Sequence, residues 1–142
     1  MSDFTRAAPF VHRLRVYWED TDAGGIVFYA NYLKFFERAR TEWLRALGIG
    51  QQRLKDEHAL MFVVAATSVR YLRPARLDDE LDVTVTVVAA GRASLDVAQQ
   101  AWHGDRLLAE GDIRIGCVDA GTFAPRRIPK PIADAAMQEL RR

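Results

Sequence analysis

The sequence predicts an α+β fold in which a five-stranded antiparallel sheet wraps around one long central helix. Three observations carry the prediction: a helical stripe dense in aromatic residues, five runs of strand character, and short turn-like links between the later runs. The 142 residues, 49% hydrophobic and 10% aromatic, supply a single domain, 1–142, with one core. A sheet that must bury one greasy helix does so most economically by curling around it.

The elements follow in chain order. Over residues 11–18, His12, Leu14, Val16 and Trp18 alternate with Val11, Arg13, Arg15 and Tyr17, the pattern of a half-buried strand. Residues 19–25 break it with three acids and a Gly-Gly pair, which is loop chemistry. Residues 31–47 then place Tyr32, Phe35, Phe36, Ala39, Trp43 and Leu47 at spacings of three and four, a helix about 25 Å long that stops at Gly48. Its aromatic face belongs at the centre of a core, while Arg38 and Glu42, four apart, are expected to pair on the solvated side. Residues 51–58 read as a short polar helix or turn. Strand character returns over 60–71, 81–90, 93–102 and 106–118. Turn signals separate these runs, namely residues 73–79 with Pro74, the Gly91-Arg92 pair, and His103-Gly104-Asp105, so consecutive strands are expected to pair antiparallel. The core is expected over about residues 10–130. A tail over 119–142, with Pro125, Pro129 and Pro131, is expected to end in a short helix over 132–140. One helix for five strands leaves a face or edge that a second copy of the chain would cover, so an oligomer is expected.

Composition excludes several function classes. A net charge of +1, from 20 basic and 19 acidic residues, gives no field that marks a nucleic-acid or membrane-surface binder. The basic residues are arginines except Lys34, Lys55 and Lys130, which suits bidentate contacts to phosphate or carboxylate and equally suits a simple compositional bias. The single cysteine, Cys117, forbids an intrachain disulfide, fits a reducing compartment, and in its apolar strand reads as packing. Residues 1–9 carry Asp3 and Arg6 without an apolar h-region, and no run approaches the roughly 20 apolar residues of a spanning helix, so a cytoplasmic protein is expected. His12, His58 and His103 lack metal-ligand spacing, and no metal is expected.

The segment that can carry chemistry is Trp18-Glu19-Asp20-Thr21-Asp22-Ala23-Gly24-Gly25-Ile26-Val27-Phe28-Tyr29-Ala30-Asn31-Tyr32. Acids cluster just before a helix whose first amides have no intrahelical partner and whose dipole adds positive potential. A carboxylate beside such an oxyanion site is the minimum equipment for hydrolysing an ester or thioester, and glycines let the backbone approach a ligand. Asp20, Thr21 and Asp22 suit turn and helix caps equally well, and spacing alone leaves both readings open.

This segment, continued by Phe35-Phe36-Glu37-Arg38-Ala39-Arg40, resembles the signature of the 4-hydroxybenzoyl-CoA thioesterase family of the hotdog superfamily, and within it the YbgC-type, Tol-Pal-associated acyl-CoA thioesterases. The resemblance extends over about residues 10–130, the later strands matching in pattern only. It implies a hotdog fold and hydrolysis of an acyl-CoA thioester by water, with no cofactor, CoA being part of the substrate. By position it makes Asp22 the catalytic carboxylate, as nucleophile or general base, and Gly25 the glycine of the turn. The Tyr29 backbone amide becomes the donor that polarises the carbonyl, and Asp20 a structural acceptor. A histidine often stands in that branch where this chain has Tyr29, so any role of that imidazole is absent here while the amide survives. The resemblance also implies nucleotide binding near the turn between the third and fourth strands, where Arg92 and Ser94 stand. Two other groups, Arg70 with Arg73 and Arg76, and Arg126 with Arg127 and Lys130, read as solvated faces. Implied partners are acyl-CoA, with acyl carrier protein as an alternative carrier, and further copies of the chain in a homodimer that assembles to a homotetramer. Two rival readings are a non-catalytic acyl-thioester or lipid binder tied to an envelope complex, and a dehydratase. The latter normally needs a histidine near the helix start, and none lies between Glu19 and Lys34.

Overall fold

Burial of one aromatic helix organises the molecule. A computed structural model describes residues 9–140; the missing h-region read from residues 1–9 lies outside them except for Pro9. The elements run β1 (Phe10–Arg15), α1 (Asn31–Ala46), α2 (Gln51–His58), β2 (Leu60–Tyr71), β3 (Glu80–Ala90), β4 (Ser94–His103), β5 (Arg106–Asp119) and α3 (Lys130–Leu140). The five strands form one antiparallel sheet in the order β1-β3-β4-β5-β2, curled around α1 in the hotdog arrangement. Tyr32, Phe35, Phe36, Ala39, Trp43 and Leu44 form the buried stripe of α1. The helix closes where expected, with Gly48 at φ +84° and the Ile49 amide donating to Leu44 O.

Three expectations need correction. Consecutive pairing holds for β3-β4 and β4-β5, but β2 pairs with β5, from Leu60↔Asp119 to Tyr71↔Ala109, and β3 pairs with β1. The link after β2 is not a hairpin but crosses the sheet end from one side towards the other. Eight residues reach at most about 28 Å, ample for three strand spacings of about 4.8 Å. Secondly, β1 ends at Arg15, and a tight turn over Trp18–Asp20 rotates the chain, so Val16 is fully buried whereas Trp18 is 79% exposed. Thirdly, Glu42 pairs with Arg45 rather than Arg38, whose guanidinium lies 5.8 Å from the Phe35 ring centroid.

The inner face of the sheet is mostly apolar, and one fully buried polar side chain stands at its middle. Gln99 on β4 is fully buried, and its Nε2 donates to Phe36 O at 3.0 Å and Thr84 O at 3.3 Å while its Oε1 accepts from Arg40 Nη1 at 2.9 Å. This amide clamps α1 to the middle of the sheet with its hydrogen-bonding capacity used. The outer face is polar, with Arg114 paired to Asp96 at 2.8 Å and Arg70 to Glu110 at 2.9 Å.

The two edges differ. β1 has six residues, and its Arg13 and Arg15 pair with Asp82 and Glu80. Where β1 stops opposite Val85, α3 takes over, burying Ile132 and Ala136 and accepting the Val87 amide on the Glu139 carboxylate. β2 has twelve residues, carries no charge from Leu60 to Val69, and is exposed on both faces from Val64 to Ser68. Folded chains normally blunt such an edge or pair it.

Gly111 shows how tightly sheet and helix meet. A Cβ there would lie 3.1 Å from Phe36 Cε2, 3.2 Å from Ile113 Cδ1 and 3.4 Å from Ser68 O. Phe36 is fully buried and has nowhere to retreat. Gly111→Ala is therefore expected to lower stability by about 1–3 kcal/mol in chemical denaturation; an unchanged midpoint would show that the helix can lift off the sheet.

Candidate active site

The Asp22 loop is built from its own backbone. Thr21 bridges to Val27, the Asp22 amide donates to Ile26 O at 2.8 Å, and the Gly25 amide donates to Asp22 O at 3.1 Å. Closing so short a turn puts Gly25 at φ +82°, where a side chain would be strained. Asp22 Oδ1 accepts from the Gly24 amide at 2.8 Å and from the Ile26 amide at 3.4 Å, which fixes the carboxylate while leaving it open to solvent. Asp22 thus does cap its own turn, as spacing allowed, and still presents a free face.

Asp20 has a different environment. It is 3% exposed, with Oδ1 accepting from Asn31 Nδ2 at 2.7 Å and Oδ2 from the Tyr17 amide at 2.8 Å. Its carbonyl also accepts the Phe28 amide at 3.0 Å. One residue therefore joins the exit of β1, the Asp22 loop and the first turn of α1. Asn31, itself 7% exposed, is the partner that sequence reading did not single out, although an amide side chain opening a helix behind an acidic loop was the signal.

The start of α1 offers free donors. No side chain caps it, and among the described residues neither the Tyr29 nor the Ala30 amide donates to an acceptor. The Tyr29 ring lies 4.8 Å from Phe28 and 6.1 Å from Tyr71, which in turn stands 5.5 Å from Tyr32. Beside them is a cleft of about 230 Å³ lined by Ile26, Tyr29, Tyr32, Tyr71, Leu72 and Arg73 among others. Tyr32 Oη accepts the Ala75 amide at 3.1 Å, and burial pushes the Tyr32 and Tyr71 phenols up, so both stay protonated near neutrality. Tyr71, missed by sequence reading, sits at the last position of a strand, where periodicity carries little weight.

Asp22, Gly25 and the Tyr29 amide are thus gathered in one loop and helix start. Arg92 and Ser94 are not with them. They form the β3-β4 turn, closed by the Gly91 amide donating to Ser94 O at 2.8 Å. The Asp22 loop lies at the opposite end of β3, where Val16 bonds Asp79 and Val27 bonds Ala75. With 11 residues in β3, the two ends are roughly 35 Å apart within one chain. The structure also joins the Arg92 turn to the tail, since the Ile128 amide donates to Arg92 O at 3.0 Å. In that tail Arg126 is held by Asp119 at 2.9 Å and Lys130 by Asp134 at 2.7 Å, whereas Arg127 has no acidic partner among the described residues. Of the other arginine group, Arg70 pairs on the outer sheet face, the Arg76 amide is held by Asp79, and Arg73 lines the aromatic cleft. Cys117 is 1% exposed, and burial pushes its thiol up, which suits packing. Among the described residues no cluster of three His, Cys, Asp or Glu side chains could hold a metal ion, and no helix is long and apolar enough to cross a membrane.

Known proteins resemble the chain over most of its length. Residues 16–136 match the model of the thioesterase-like superfamily. The acyl-CoA thioesterase YbgC of Haemophilus influenzae is 42% identical over 126 residues, spanning 89% of this chain and 93% of that protein. The acyl-CoA thioester hydrolase YbgC of Escherichia coli O157:H7 is 43% identical over 120 residues, spanning 84% and 89%. Among solved structures, a probable thioesterase from Bartonella henselae superposes with TM-score 0.82 at 33% identity, over 86% of this chain and 100% of that one. The 1,4-dihydroxy-2-naphthoyl-CoA thioesterase of Synechocystis shares the fold, with TM-score 0.84 at 21% identity over 95% and 99%. The chain belongs to the thioesterase-like superfamily, in the family of the YbgC proteins, and is a thioester hydrolase.

Proposed function

We propose that this chain hydrolyses an acyl-CoA thioester to the free acid and CoA, with Asp22 as the reacting carboxylate. The observation that carries the proposal is the pairing of a fixed, solvent-open carboxylate with the unclaimed Tyr29 and Ala30 amides in one short segment. The thioester oxygen would sit on the Tyr29 amide, where the helix dipole favours the negative charge that develops on attack. Asp22 either attacks the carbonyl carbon, displacing CoA thiolate and forming an acyl–aspartyl anhydride that water then cleaves, or takes a proton from a water that attacks the carbon and displaces the thiolate; in both routes the C–S bond breaks, the thiolate gains a proton, and the free acid leaves with the Asp22 carboxylate restored. The protein supplies the catalytic groups, and acyl carrier protein would serve as an alternative carrier of the same thioester.

The distribution of site residues supports a homodimer as the working unit. An antiparallel pairing of two β2 edges brings one copy's Arg92 turn to the end of the assembly that holds the other copy's Asp22 loop. Arg92, Ser94 and Arg127 of one chain would then bind the CoA phosphates of a thioester cleaved by the other. A lone buried cysteine and the lack of a spanning helix among the described residues fit a cytoplasmic setting.

Asp22→Asn is expected to reduce thiol release from acyl-CoA roughly a thousandfold while leaving melting temperature and CoA affinity unchanged; parent-rate turnover would remove Asp22 from the mechanism. Asp20→Asn sets an amide donor against one of the two donors that Asp20 now accepts. It is expected to cost about 1–3 kcal/mol in denaturation and to lower kcat more than it raises KM. If sites are shared between chains, mixing Asp22→Asn protein with Arg92→Ala protein should restore about a quarter of the parent's low-KM activity, because half of randomly formed dimers contain one intact site. Activity that stays at the level of the separate variants would place the phosphate site within one chain.

A further inference from the structure

The Asp22 loop is closed by its own backbone but has little to rest on. Residues 22–26 are exposed, and only Val27 beyond them is buried. Among the described residues, one segment distant in sequence bonds to residues 21–27, the link between β2 and β3. Ile26 bridges Arg76 antiparallel, and the Val27 amide donates to Ala75 O at 2.9 Å. Ile26 is also the residue that holds Asp22. It takes the Asp22 amide on its carbonyl at 2.8 Å and gives its own amide to Asp22 Oδ1 at 3.4 Å. Whatever fixes Arg76 therefore fixes the carboxylate at one remove.

Arg76 is fixed by Asp79. The Arg76 amide donates to Asp79 Oδ2 at 2.9 Å, and the Arg76 carbonyl takes the Asp79 amide at 3.1 Å, closing a four-residue turn. Within it Asp78 has φ +70°, a conformation that non-glycine residues rarely adopt and that persists only where the bonds around it insist on it. Asp79 supplies more of them. Its carbonyl takes the Val16 amide at 2.8 Å, and its Oδ1 lies 3.7 Å from His103 Nε2 in the β4-β5 turn. The exit of β1, the β2-β3 link and the β4-β5 turn thus meet at one residue, whose side chain is 20% exposed.

We infer that Asp79 is a positioning residue for the reaction: through Arg76 and Ile26 it sets where the Asp22 carboxylate points relative to the Tyr29 amide. This role rests on Asp22 being the reacting carboxylate, as proposed above, and belongs to a residue that touches no substrate. Asp20 secures the two ends of the segment, at Tyr17 and at Phe28 and Asn31. Asp79 secures its middle. The Tyr29 amide travels with α1, whereas the Asp22 carboxylate travels with an exposed turn, so the two halves of the site stay in register only while that turn is tied down. Misplacing a reacting group by an ångström or so can cost a hundredfold in rate. It need not weaken binding of the rest of the substrate, since the carboxylate supplies attack rather than affinity.

Steady-state thiol release from acyl-CoA by the full chain, at a temperature where circular dichroism shows each variant folded, provides the test. Asp79→Ala removes the acceptor and is expected to lower kcat roughly tenfold or more while KM stays within about twofold of the parent. Asp79→Asn keeps an acceptor oxygen for the Arg76 amide and is expected to hold kcat within about threefold. His103→Ala removes only a long, exposed pair and is expected to do the same. Added to Asp22→Asn, Asp79→Ala is expected to change the residual rate by less than about twofold, because a residue that acts only through Asp22 then has nothing to act on. Should Asp79→Ala fail to fold, Asp79→Cys, which fills the space with a weak acceptor, takes its place. A folded variant with the parent's kcat overturns the assignment, as a merely structural role would give. So does a loss that is undiminished in the Asp22→Asn background. If Asp22→Asn itself turns over at the parent rate, the proposed function fails and the positioning role falls with it. An inactive Asp22→Asn beside an indifferent Asp79→Ala removes the positioning role alone.

Discussion

A helix is about 10 Å across, whereas five strands at about 4.8 Å spacing make a sheet about 19 Å wide between its outer strand axes. α1 cannot cover all of it, and it lies mainly over β1 and β3, reaching β4 and, through Phe36, Gly111 of β5. From that mismatch follow the curl of the sheet, the shallow cavity above β5 and β2, and the bare edge beside it. Small hydrophobic domains usually resolve such a shortfall with extra helices or with another subunit. α3 supplies the first solution at one edge, where it covers the part of β3 that β1 does not reach. At the other edge the described residues supply nothing, and the outer face, laced with ion pairs, is an unsuitable substitute for a core.

The acids before α1 divide their work by environment rather than by type. Asp20 and Asp22 are two residues apart, yet one is buried among donors and the other faces solvent. A buried carboxylate is tolerable only when its oxygens are satisfied, and the Tyr17 amide and Asn31 supply that. The same bonds tether the helix start to the loop, so the orientation of Asp22 relative to the Tyr29 amide depends on a residue buried beneath the loop. The electrostatic field at the site and the mechanical frame around it come from neighbouring positions with separate duties.

Much of this was legible because it is local. The stripe of α1 and its stop at Gly48 are encoded within a few residues of one another and stand as expected, and the Asp22-to-Tyr29 segment is likewise local in sequence. What escaped is long-range. The pairing of β2 with β5 depends on where the chain travels after Tyr71, and no spacing rule distinguishes a crossing link from a hairpin with the same turn residues. Trp18 continues the alternation of β1 in sequence, but the hydrogen bond from the Tyr17 amide to the Asp20 carboxylate overrides it. The nearness of Arg127 to Arg92 arises from one backbone bond at Ile128, invisible to composition. Arg92 itself was found by resemblance, yet its distance from Asp22 became evident only with the direction of β3.

The link between β2 and β3 has a consequence for how this chain can change. Ala75, in its middle, is fully buried, gives its amide to Tyr32 Oη and takes the Val27 amide on its carbonyl. A segment with the composition of a tolerant surface loop thus serves as a strap across the aromatic cleft and the Asp22 loop together. Surface loops usually absorb insertions during divergence, but lengthening this one would slacken two bonds at the site at once. It also runs from one side of the β4-β5 pair to the other, so a change in its length would be felt at both strands that flank that pair as well as at the cleft.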